Sequence, residues 1–256
     1  MRRLLLAAAL LALAVPGAQA APPTGPPIVP PTSERGTSQL ELGEELFAAN
    51  CVMCHGIDGR GKTRGDRSLL GPPLTDAGAR AADFYLRTGY MPLGDALDQP
   101  IRSRVRFSEP ELRALIAYVG SLGGPPVPRP NPAAGSVAEG RELFTDHCAG
   151  CHQVVGEGGI MVGAKAPPLS RATPVQIAEA VRIGPYAMPD FSERAISDQQ
   201  LNAIIAYVQY AKHPQDAGGW GISHLGPFPE GMVTWLIAIV VLLATCMMIG
   251  KRRAQS

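Results

Sequence analysis

Net charge is nearly absent from this sequence, whose 256 residues carry 23 Lys and Arg against 22 Asp and Glu, a formal balance of +1. Such a chain has no global field to gather nucleic acid or an acidic substrate, and it shows no nucleic-acid-binding motif. Partners must be sought in local features. Cysteine is scarce as well: there are five, and four of them fall in two short motifs. The 25 prolines and 29 glycines imply much linker and loop, which argues against one large core and for two small domains.

What is present begins at the two ends. Met1-Arg2-Arg3, an apolar run from Leu4 to Val15 and the small-x-small pattern Ala18-Gln19-Ala20 predict a secretory signal cleaved after Ala20. The run is shorter than the ~20 apolar residues that a spanning helix needs. Gly231 to Gly250, by contrast, is uncharged and rich in Val, Ile, Leu, Ala and Met, with Trp235 near its start and Lys251, Arg252 and Arg253 just after it. This is the pattern of one transmembrane helix whose basic end stays in the cytoplasm. Everything before Gly231 is then expected on the extracytoplasmic face.

Between the ends the chain repeats itself. Gly43-Glu44-Glu45-Leu46-Phe47 returns as Gly140-Arg141-Glu142-Leu143-Phe144, and an offset of 97 residues separates Cys51 from Cys148, His55 from His152, and Met91 from Met188. Ser108-x-x-Glu111 and Ser197-x-x-Gln200 predict capping boxes, in which each end satisfies the other's orphan backbone donor. Each opens a helix with an apolar stripe: Leu112, Leu115, Ile116 and Val119 in the first, Leu201, Ile204, Ile205 and Val208 in the second. These stripes are core faces. Gly123 to Pro132, with five prolines, predicts a stiff, partly extended spacer.

The chemistry lies in Cys51-Val52-Met53-Cys54-His55 and Cys148-Ala149-Gly150-Cys151-His152. In CxxCH the two thiols occupy one turn of chain, where they can add to the two vinyl groups of a single haem, and the imidazole faces the iron. Disulfides or a four-sulfur zinc site would also use four cysteines. Neither explains the histidine after each pair or the methionine at a fixed distance. Met91 and Met188 each lie 36 residues beyond their histidine and precede a proline, so they are the expected sixth ligands of iron. Met161, in a glycine-rich loop, is the rival in the second unit. His147, His213 and His224 are read as ordinary polar residues, and Cys246, within the apolar C-terminal stretch, as a small buried one.

Together these residues resemble the class I cytochrome c family twice over, across Leu40–Leu122 and Val137–Tyr210. The resemblance implies a mainly α fold, with Gly43 and Phe47 facing Tyr118, and Gly140 and Phe144 facing Tyr207. Gly71-Pro72-Pro73-Leu74 is similar to the family's Gly-Pro-x-Leu turn, which implies that the Pro72 carbonyl accepts a hydrogen bond from His55. Ala166-Pro167-Pro168-Leu169 gives Pro167 the matching role, although the glycine is missing and the motif lies two residues closer. The whole arrangement, including Gly219 to Gly231 before the membrane helix, resembles the dihaem cytochrome c subunits of actinobacterial-type cytochrome bcc complexes. That resemblance implies electrons passing from a Rieske iron–sulfur protein through two haems to cytochrome oxidase, beside a cytochrome b subunit and membrane lipid.

The expected organisation is a signal at 1–20, a Pro-rich linker at 21–39, and cytochrome c domains at 40–122 and 137–213 around a linker at 123–136. A juxtamembrane segment at 214–230, a membrane helix at 231–250 and a cytoplasmic tail at 251–256 follow. Two covalent haem c groups on Cys51, Cys54, Cys148 and Cys151, with His55, Met91, His152 and Met188 on the irons, leave no open position for substrate. The expected work is therefore electron relay within a quinol:cytochrome c reductase, with no catalytic site of this chain's own. Alternatives are the cytochrome subunit of a periplasmic dehydrogenase or haem-copper oxidase, or a dihaem peroxidase, which needs one displaceable ligand. Arg102, Arg104 and Arg106 suit either a docking patch or a solvated loop.

Overall fold

A computed structural model describes residues 27–32, 38–63, 65, 69–95, 98–213 and 227–253. The expected signal and most of the juxtamembrane segment, His224 included, lie outside the described residues. The chain forms two compact units that divide after Lys212.

The first unit contains one six-element pattern used twice. Helix α1 (Gln39–Asn50) leads into the single turn α2 (Val52–His55), a hairpin of β1 (Lys62–Thr63) and β2 (Leu69–Gly71), then α3 (Gly78–Arg87) and α4 (Glu109–Ser121). The same order returns as α5 (Val137–His147), α6 (Ala149–His152), β3 (Gly159–Met161), β4 (Ala164–Ala166), α7 (Pro174–Ile183) and α8 (Asp198–Lys212). Both hairpins are antiparallel.

The capping boxes start the closing helices as their spacing predicts. Ser108 donates its backbone N–H to Glu111 at 2.7 Å, and Ser197 donates to Gln200 at 2.9 Å while Gln200 N–H returns to Ser197 Oγ at 3.2 Å. In each repeat the opening helix crosses the closing one at a glycine. A Cβ on Gly43 would collide with the Ala114 carbonyl, and one on Gly140 with the Ala203 carbonyl, so only glycine lets these backbones approach. One turn on, Phe47 meets Tyr118 with ring centroids 5.1 Å apart, and Phe144 meets Tyr207 at 5.4 Å. Two separate cores form around these crossings, one on Leu46, Phe47, Leu112 and Leu115, the other on Phe144, Leu201, Ile204 and Ile205. Burial of such side chains contributes about 1.5–3 kcal/mol each.

The spacer between repeats is extended but docked. Val127 packs on the first core, the Pro125 carbonyl accepts from Arg80 N–H at 3.2 Å, and Asn131 N–H donates to the Asn202 side chain at 2.7 Å. Pro-rich backbone has few donors of its own, so the folded repeats supply the groups that hold it.

In the second unit, α9 (Pro227–Arg253) includes a span Gly231–Lys251 with mean hydropathy 2.6. Its 21 residues rise about 32 Å, enough for a hydrocarbon core of about 30 Å. Trp235, Leu236 and Leu242 are exposed along it, as is Cys246.

Candidate functional site

Each CxxCH motif is one helical turn placed directly after the opening helix. The His55 N–H donates to the Cys51 carbonyl at 2.9 Å and His152 to Cys148 at the same distance, which sets the two cysteines of each motif three residues apart on one helix face. The chain then turns back sharply. Gly61 N–H donates to the His55 carbonyl at 2.7 Å and Gly158 to His152 at 3.0 Å, both glycines having positive φ.

That reversal brings a proline carbonyl to each imidazole. His55 Nδ1 lies 2.8 Å from the Pro72 carbonyl oxygen and His152 Nδ1 lies 3.1 Å from that of Pro167. An Nδ1–H donated to a carbonyl fixes the tautomer and leaves Nε2 unprotonated, with a lone pair of the kind that can ligate a metal. Burial lowers the pKa of both imidazoles, with the proline carbonyl opposing it, which favours the neutral form. Gly71 precedes Pro72 because its backbone lies against α2: a Cβ there would sit 2.5 Å from the Cys54 carbonyl oxygen. The second repeat has buried Ala166 at that place.

In the second repeat, Cys148, Cys151, His152 and Met188 line one cavity of about 400 Å³. Phe144, Ile177, Val181, Ile204 and Val208 make its walls apolar. Met188 enters on the loop after α7, next to Tyr186, whose φ of 57° is unusual for a bulky residue. Met161 reaches the same cavity from β3, and so does His147, whose ring also packs edge-on against Phe191 at 6.1 Å. The cavity's chemistry fits a covalently attached haem: two thiols on one turn, a neutral imidazole with its far nitrogen free, a thioether and apolar sides. Burial, reinforced by the neighbouring cysteine, pushes the Cys148 thiol up to about 11 and the Cys51 thiol to about 12. Both are therefore held as thiols rather than thiolates. Among the described residues no group of three His, Cys, Asp or Glu side chains converges as a metal-ion site, which disfavours the zinc alternative.

In the first repeat Cys51, Cys54, His55 and Met91 are all half-buried. Met91 follows α3, where its N–H donates to the Tyr85 carbonyl at 3.1 Å, and its peptide bond to Pro92 is cis. Tyr90, the residue before it, belongs to the wall of the other repeat's cavity, together with Phe84, Thr88, Gln99, Ile101 and Arg102. The repeat alone gives no hint of these borrowed walls. The one signal was the basic insertion, and there Arg104 is exposed while Arg102 turns inward and donates to Gln176 of α7 at 2.8 Å.

Comparison with known proteins accounts for both repeats. Residues 40–123 match the family model for cytochrome c, and residues 135–208 match that for subunit III of cbb3-type cytochrome c oxidase. The cytochrome bc1 complex cytochrome c subunit of Mycobacterium tuberculosis is 36% identical over 254 residues, covering 95% of this chain and 89% of the relative. The chain belongs to the family of cytochrome bc1 complex cytochrome c subunits. The corresponding subunit of Corynebacterium diphtheriae is also 36% identical, over 88% of this chain and 87% of its own length. A cbb3-type oxidase subunit CcoP from Azospirillum is more distant, at 28% identity over 65% of this chain and 60% of its own. As a cytochrome c subunit of a bc1 complex, the chain has a respiratory electron-transfer role beside other subunits of that complex. Its cytochrome c domains carry covalently bound haem c, and α9 fits a single membrane span.

Proposed function

We propose that this subunit is a dihaem relay, taking electrons from a Rieske iron–sulfur protein and delivering them to cytochrome oxidase, next to a cytochrome b subunit. Cys51 and Cys54 bind one haem and Cys148 and Cys151 the other. His55 with Met91, and His152 with Met188, would ligate the two irons, while Pro72 and Pro167 would orient the histidines. When bound, haem supplies one-electron exchange at iron, and a methionine thioether raises its potential. The protein's own part is to hold the imidazoles neutral, surround the second site with apolar walls and leave neither iron open. The haem domains stand outside the membrane, and Lys251 to Arg253 keep the C-terminus in the cytoplasm.

The observation that carries this reading is the shared wall. Tyr90 lines the second cavity and is bonded in sequence to Met91, so the two ligand sets are separated by adjoining side chains rather than by a free linker. Haem content per chain, with optical spectra of M91A, M188A and M161A, tests it. Two haems are expected, with the methionine-to-ferric-iron band reduced in each of the first two variants and kept in M161A. A wild-type haem with five ligands would favour a peroxidase instead. Affinity purification in mild detergent is expected to recover a cytochrome b and a Rieske protein. Recovery of a haem-copper oxidase without them would favour the reading suggested by the cbb3-type match to residues 135–208.

A further inference from the structure

The wall that the first repeat lends to the second cavity carries unbalanced charge. Arg102 and Arg171 both line the cavity, one from each repeat. Arg102 gives one N–H to the neutral Gln176 amide, and among the described residues neither arginine forms an ion pair. Lys212 stands close enough for Arg102 to lower its pKa, and its ammonium is directed to the Ala172 carbonyl and the Gln209 amide. Burial, with Arg171 adding to it, lowers the pKa of Arg102, although Tyr90 acts in the opposite sense. Arg102 is half-buried and Arg171 is exposed to solvent, and a half-buried cation without a carboxylate costs free energy unless an anion joins it.

The loop that brings Arg102 there is fastened across the cavity. Gln99 Nε2 donates to the Lys165 carbonyl at 2.9 Å, and Lys165 N–H returns to Gln99 Oε1 at 3.3 Å, which laces residues 99–102 to strand β4. A haem attached at Cys148 and Cys151 brings two propionate carboxylates into this same cavity. We propose that Arg102, a residue of the first cytochrome repeat, is part of the second repeat's haem site, where with Arg171 it pairs with the propionates. The inference rests on the reading that the second cavity holds haem. It makes that site a joint product of both repeats, with Arg102 as a positioning residue that also sets the potential through its charge.

The test is a potentiometric titration of the full chain in detergent for wild type, R102M and R102K, with haem content measured in each. The C148A/C151A variant, left with the first motif only, assigns the two transitions. A nearby positive charge disfavours ferric haem, so R102M should lower the midpoint of the second haem and leave the first in place. R102K should stay close to wild type; since Met and Lys both keep an unbranched stem, a midpoint lowered in R102M but not in R102K reports the charge rather than packing of the stem. Loss of the second haem alone from R102M also supports the site. R171M should lower the same midpoint, which keeps the inference open to test if R102M does not assemble. Both haems retained in R102M with unaltered midpoints would overturn it. Wild type carrying no haem on Cys148 and Cys151 would instead overturn the haem reading beneath it.

Discussion

The two repeats share a frame and differ in what surrounds it. In both, a glycine lets the opening helix lie on the closing helix, an aromatic pair follows one turn later, and a proline carbonyl meets the histidine. Their outer surfaces have separate duties. The first repeat carries the insertion 97–106, whose Gln99 and Arg102 reach the second, and the second presents α7 to the first. The frame is set by contacts within a repeat, and the relation between repeats by a few polar side chains outside it.

The sharpest way to break the comparison is at the helix crossings. G43V and G140V each place a branched side chain against a helix backbone that cannot move away, and each should cost at least about 3 kcal/mol. If the repeats fold on independent cores, G43V should unfold the first at lower urea while the second keeps its near-ultraviolet signal, and G140V the reverse. Simultaneous loss of both in either variant would show that the interface between the repeats, rather than the frame, governs folding.

Charge at that interface gives the next largest effect. Helices α3 and α7, the same element of each repeat, pack together with Glu179 fully buried against Asp83. As a carboxylate, Glu179 meets no donor on either oxygen; as a carboxylic acid it can donate to Asp83. Burial, followed by repulsion from Asp83, raises its pKa to about 9, with Arg87 and Arg80 opposing the shift. Asp83 is engaged by Arg87 at 2.7 Å, and Arg87 also clamps Glu109 at 2.7 Å. The folded state therefore holds a proton that the unfolded chain releases near pH 4.5. The neutral group's stabilisation is complete below that pH, declines as pH rises above it and is gone once pH passes about 9. E179Q removes this titration. At pH 8 it should be more stable than wild type by roughly 4 kcal/mol, and at pH 5 the two should nearly coincide. Parallel pH–stability curves would show that Glu179 is ionised in the folded protein.

The frame was legible in the sequence because its signals are local. Capping boxes at Ser108 and Ser197, apolar stripes and the glycine–aromatic pairs each involve residues within a few turns; a 97-residue offset aligns the opening helices, CxxCH motifs and methionines, and the closing helices follow at an offset of 89. Helix α3 was less readable, since Ala77 at its start supplies no side-chain cap and Asp83 interrupts its apolar pattern. Helix α7 had a usable signal, the Thr173–Gln176 capping box. The hairpins are only two or three residues per strand, too short for alternation to register. The docking of the spacer and the turn of Arg102 into the second cavity depend on hydrogen bonds spanning 71 and 74 residues, respectively, for which no local pattern exists.

The smallest test concerns a hydroxyl contact by which one repeat's frame differs from the other's. Tyr207 and Tyr118 occupy equivalent positions against Phe144 and Phe47, and both rings pack. Only Tyr207 extends the frame further: its hydroxyl donates to the Val154 carbonyl at 2.7 Å, tying α8 to the loop just after His152. Among the described residues Tyr118 has no hydroxyl partner, although burial raises its pKa slightly beside Glu44. Y207F should therefore cost about 1 kcal/mol, the usual net value of such a bond, while Y118F should be close to neutral. The difference should appear in the transition of the second repeat and in faster amide exchange in its haem-motif loop. Equal costs in the two repeats would place the stabilisation in the ring contacts and leave the Val154 bond without energetic consequence.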